Sequence, residues 1–173
     1  MSGSENNDIL DRINALKNNY YSENKKNLFF KKDQKFDCAQ IITQQFNTNE
    51  LFKNILLINQ NKLCFNYTLF KTVVYPGNYM DFIKYIFITN DEILETYSEY
   101  DIICDLKGLT MTGVERYKGF LTLLSNEGLA NGKNFLQKLG HIFILNPPFM
   151  ISNIAKIILP VLDKIVQEKI VMP

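Results

Sequence analysis

The side chains best suited to chemistry in this sequence are few and dispersed. His141 is the sole histidine, Cys38, Cys64 and Cys104 are the cysteines, and Asp101 and Asp105 stand four residues apart. In a strand that spacing puts both carboxylates on one face, where a pair with split pKa values can serve as general acid and base. The surrounding residues favour a plainer use, since Asp101 opens an apolar run and Asp105 closes it at the turn Asp105-Leu106-Lys107-Gly108. His141 opens another apolar run with no Ser or Cys nucleophile beside it in sequence, which suits a structural role in a buried strand better than a catalytic one. Three widely spaced cysteines fit neither a disulfide framework nor a zinc site and are expected as buried, reduced thiols. With no P-loop, dinucleotide-binding glycine set or triad signature either, the expectation is a protein that is not an enzyme.

Charge narrows the partners. Lys62, Lys71, Lys107, Lys156 and Lys169 make a phosphate-binding patch only if the fold gathers them, and scattered lysines otherwise read as a solvated surface. A formal net charge of +1 supplies no whole-molecule field for nucleic acid. No apolar run approaches the roughly 18 residues that span a bilayer, and Met1-Ser2-Gly3-Ser4-Glu5 is unlike a secretory signal, so a cytoplasmic protein is expected.

These groups must be positioned by a fold that 173 residues can build as one domain with a small helical appendage. Tyr100 to Leu109 and Leu139 to Phe149 are short, nearly continuous apolar runs between turn-forming residues, the pattern of strands buried on both faces of a parallel sheet. Thr112 to Leu139 has helical periodicity and supplies the crossover of a βαβ unit. Ligands in such units tend to sit beyond the carboxyl ends of the strands, where Asp105, Lys107, Gly108 and Asn146-Pro147-Pro148 fall.

The spacing of apolar residues predicts a short amphipathic helix over 8–16, a polar link over 18–26, a helical piece at Leu28-Phe29-Phe30, and a helix capped by Asp37. Asn47 to Asn49 caps another helix through Leu56. Alternation from Lys62 to Leu69 predicts a strand, Pro76-Gly77-Asn78 a break, and Tyr79 to Tyr97 one long helix or two shorter ones. Phe149 to Val166 reads as a helix apolar on more than one side and interrupted by Pro160, with a last strand over 169–172. The division expected is a helical part over 1–60 and an α/β part over 61–173.

Asp105-Leu106-Lys107-Gly108-Leu109, Leu139-Gly140-His141-Ile142-Phe143-Ile144-Leu145-Asn146-Pro147-Pro148, Leu159-Pro160-Val161-Leu162-Asp163 and Glu168-Lys169-Ile170-Val171 stand in an order and spacing that resemble the CRAL-TRIO lipid-binding domain. Phe29 to Asp37 resembles, more weakly, the basic-aromatic segment of that family's helical N-terminal subdomain. The resemblance implies an α/β fold with a mixed, mostly parallel sheet flooring a hydrophobic cavity, and a mobile gate formed by Phe149 to Val166. It also implies a phospholipid or other hydrophobic ligand, phosphatidylinositol or phosphatidylcholine among the candidates, and transient contact with a membrane surface.

The residues expected at the ligand are Phe65 and Tyr67 on the first strand, Phe82 and Tyr117 on helices, Ile103 and Phe143 on the central strands, and Phe149, Ile154 and Ile158 on the gate. Lys169 matches the family's headgroup lysine, while Gln137 stands where inositol-lipid binders carry a glutamate. Aromatics such as Phe65, Tyr85, Phe87 and Phe120 also suit a pocket filled by side chains, and hence an interaction scaffold. An apolar edge strand at 169–172 needs a cover, supplied by the N-terminal helix or by a second copy in a homodimer.

Overall fold

The computed structural model describes residues 2–131 and 133–172. Helix α1 spans Ser2–Glu23, far beyond the 8–16 predicted, because Tyr20 continues the stripe begun by Ile9 and Ile13. Tyr20 is buried and its hydroxyl donates to Asp37 at 2.7 Å, so the polar residues between ride on a helix that is anchored at both ends. Leu28-Phe29-Phe30 is not helical. Asn27 Oδ1 accepts from the Phe29 and Phe30 amides at 2.9 and 3.0 Å, an Asx turn that competes with the helix. Helix α2, Lys31–Thr43, follows, with Asp37 inside it rather than at its cap. Helix α1 packs on α2.

Helix α3, Thr48–Ile55, is capped by Asn47, whose Oδ1 accepts from the Asn49 and Glu50 amides at 3.0 and 3.3 Å. Leu56 leaves the helix and opens a strand absent from the sequence reading, β1, Leu56–Asn59. It pairs antiparallel with β2, Lys62–Asn66, so the sheet begins inside the stretch assigned to the helical part. The predicted strand over 62–69 ends early because Asn66 Oδ1 accepts from the Leu69 amide at 3.1 Å and starts α4, Tyr67–Val73.

A 3-10 turn at Pro76–Asn78 leads into α5, Tyr79–Leu94, a single helix. Strand β3, Tyr100–Asp105, is joined through α6, Met111–Asn131, and α7, Lys133–Gln137, to β4, Leu139–Leu145. Then come α8, Ile151–Ile158, a 3-10 turn at Leu159–Val161, α9, Lys164–Lys169, and β5, Ile170–Val171.

The five strands lie in the order β1-β2-β3-β4-β5, parallel from β2 onward. The expected mixed, mostly parallel α/β sheet is therefore present. Each parallel step moves the same way across the sheet, so right-handed crossovers put their helices on one face. Under those helices Phe52, Phe82, Ile83 and Tyr100 are fully buried. Phe70 stacks against Phe82, Tyr117 and Phe120 at centroid distances of 5.8, 4.7 and 5.0 Å.

Candidate functional site

Side chains alternate along a strand, so each central strand offers one row to the helices and the other row to the opposite face. Leu63 and Phe65 of β2, Ile102 and Cys104 of β3, and Ile142 and Ile144 of β4 form the inner row. Phe82 and Ile86 of α5, Phe120, Leu121 and Leu124 of α6, and Leu136 of α7 form walls above them. Ile158, Leu162 and Val166 close the roof. The space between them is about 260 Å³, and Ser125 and Cys104 are the least apolar groups on its surface. Burial pushes the Cys104 thiol up to about 12, so it stays protonated and behaves as a wall atom rather than a nucleophile.

The roof is jointed. Helix α8 stops before Pro160, the backbone turns extended at Leu162 (φ −92°, ψ 146°), and Asp163 recaps the chain by accepting from the Ile165 amide at 2.8 Å. The break expected from Pro160 is present. Gln167 staples the joint, its Nε2 donating to the carbonyls of Leu159 and Leu162, each at 2.9 Å. Although the helix is broken, Ile158, Leu162 and Val166 keep a spacing of four and present one apolar stripe to the cavity.

Of the residues expected at the ligand, Phe65, Phe82 and Ile158 line this cavity. Ile103 and Phe143 do not, because they fall on the alternate row and face the other side of the sheet. Tyr67 heads α4 instead of continuing β2, and packs edge-on to Tyr117 at 6.3 Å. Tyr117 is tied into the same core, its hydroxyl donating to the Lys71 carbonyl at 2.9 Å. Ile154 is buried in protein contacts off the cavity, and Phe149 is fully exposed in the turn before α8. Lys169 ends α9 outside the lining, and Gln137 ends α7. Ile102, Cys104, Ile142 and Ile144 also line the cavity and were not among the expected residues, although their period of two follows once Phe65 fixes the inner row.

At the carboxyl ends of the strands the polar residues hold the scaffold. Asp105 Oδ1 accepts from the Lys107 amide at 3.0 Å and from Asn146 Nδ2 at 2.8 Å, joining the turn after β3 to the end of β4. Gly108 there has φ +77°, which a side chain would strain. Asp101 Oδ1 accepts from the His141 amide at 2.8 Å and lies 3.5 Å from His141 Nδ1. Both carboxylates therefore join β3 to β4. His141 itself is largely exposed on the outer row, on the face of the sheet opposite the cavity, and not in a buried strand as expected.

The sequence model of the CRAL/TRIO domain matches residues 62–173, from the start of β2 onward. The chain belongs to the CRAL/TRIO domain family. This is a family of lipid-binding and lipid-transfer domains whose ligands are small and hydrophobic. A search of the curated proteins returned no match to the chain. Among the described residues, no helix is long and apolar enough to cross a membrane.

Proposed function

We propose that this CRAL/TRIO chain is a non-catalytic carrier that takes the apolar chain of a phospholipid, or another hydrophobic molecule, between its sheet and the jointed roof. The observation that supports this most is the apolar cavity of about 260 Å³ beneath a roof interrupted at Pro160. Burying apolar surface there supplies affinity without directional contacts, and the joint offers a place to open. A phosphoinositide preference finds no further support, since Lys169 lies off the lining and Gln137 replaces the glutamate. The scaffold reading is weaker because Phe65, Phe82 and Phe120 wall the cavity without filling it.

Leu121→Trp tests the reading by placing an indole in the cavity. Uptake of a fluorescent acyl probe is expected to fall below detection while the far-UV spectrum is unchanged. Uptake at the parental level by the folded variant would refute the carrier.

A further inference from the structure

Between α1 and α2 the chain presents Leu28, Phe29 and Phe30, three consecutive large apolar side chains exposed by 76%, 91% and 63%. Single exposed hydrophobics are ordinary; three in a row on a tight turn are not. Lys25 and Lys26 precede the tip and Lys31 and Lys32 follow it. From Lys17 to Lys35 the chain carries six lysines against Glu23 and Asp33, a local charge of +4 in a molecule whose net charge is +1.

The positive charge continues inward. A groove of about 660 Å³ runs past Lys26, Asn27 and Lys31 at the base of the tip to Lys17, Tyr21 and Lys35. The last three also wall a recess of about 70 Å³ with Lys71 and Thr72. Burial and then the charges of Arg116, Lys71 and Lys17 hold the Lys35 ammonium below its usual pKa, and burial, Lys17 and Arg116 do the same to Lys71. Arg116 is 8% exposed and its Nε has no hydrogen-bond partner. Among the described residues, no carboxylate lies within ion-pair distance of any of these cations. An anion in the recess would offset the mutual repulsion of Lys17, Lys35 and Lys71.

We propose that this end of the molecule docks on an anionic phospholipid surface, with Leu28, Phe29 and Phe30 entering the interface and the Lys17, Lys35 and Lys71 recess receiving a lipid phosphate. An apolar tip ringed by lysines is the pattern of an interfacial anchor, and each lysine near an anionic surface strengthens partitioning by roughly fivefold. Charge argues against a second copy as the occupant, since a two-fold contact would set the same lysines opposite one another. The surface is separate from the cavity and does not depend on what the cavity holds.

The test is co-sedimentation with phosphatidylcholine vesicles, with and without phosphatidylserine. The parent is expected to bind only the anionic vesicles and to release as salt rises. Phe29→Ser/Phe30→Ser and Lys35→Gln/Lys71→Gln should each weaken binding at least tenfold with unchanged melting temperature. No binding to anionic vesicles, or parental binding by either folded double variant, overturns the proposal. Saturable binding of inorganic phosphate without vesicle binding assigns the recess to a soluble phosphate and overturns it also. So does a dimer that is lost in Phe29→Ser/Phe30→Ser and ignores vesicles. Leu121→Trp should keep parental vesicle binding even if acyl uptake is lost, which separates this proposal from the carrier reading.

Discussion

Ligand chain length is the perturbation that reads the cavity most directly. At about 24 cal/mol per Å³ of apolar cavity, filling the observed 260 Å³ is worth about 6 kcal/mol at most. At about 0.8 kcal/mol per buried CH₂, the same energy corresponds to about eight methylenes. A ligand held by that energy alone binds in the tens of micromolar, between the roughly 4 kcal/mol of a millimolar complex and the 8 of a micromolar one. Competition of primary alcohols from six to eighteen carbons against a fluorescent acyl probe should therefore show affinity rising about fourfold per methylene until about eight carbons. Beyond that, further gain requires the roof to move, and hydrogen exchange over residues 151–169 should change at the same chain length. A series with no dependence on length would refute the reasoning, as would a steady climb to eighteen carbons with unchanged exchange.

Gln167→Ala removes two hydrogen bonds across the joint, each worth about 1 kcal/mol, and should speed hydrogen exchange over 159–167 and the release of a bound probe; unchanged exchange would count against the staple. Tyr100→Phe removes the hydroxyl that donates to the Phe135 carbonyl in the core, and urea denaturation should show a loss of about 1–3 kcal/mol. Burial pushes Tyr79 up to about 12 and raises Tyr20, Tyr100 and Tyr117 as well. Because the folded state keeps these phenols protonated longer than the unfolded chain does, stability should be intact below pH 10 and fall as pH rises toward 12. Thermal melts across that range check the sign; a melting temperature that holds steady to pH 12 would contradict it.

The parallel strands and their crossovers were legible because Tyr100 to Asp105 and Leu139 to Leu145 are short apolar runs with a helical stretch between them, but helices cover one face of the sheet rather than the two expected, so His141 and Leu145 on the outer row stay exposed. The joint at Pro160 was legible from proline chemistry alone. What escaped were places where a short polar side chain decides the local structure. Asn27 turns Leu28-Phe29-Phe30 outward, and Asn66 ends β2 before Tyr67; in each case an Asx hydrogen bond outweighs the apolar periodicity. Strand β1 escaped because Leu56-Leu57-Ile58 continues the apolar run of α3 without a change of composition. The site was only half legible for a related reason. Ile103 and Ile102 are equally apolar, and a one-residue difference in register decides which of them meets the cavity.

Mass spectrometry of organic extracts from the purified chain tests the central claim most directly. A hydrophobic molecule is expected to co-purify with the parent protein, or an acyl probe to be taken up stoichiometrically where the cavity is emptied first, and neither in Leu121→Trp. Extracts free of hydrophobic molecules, together with no uptake of acyl probes of any length, would contradict it.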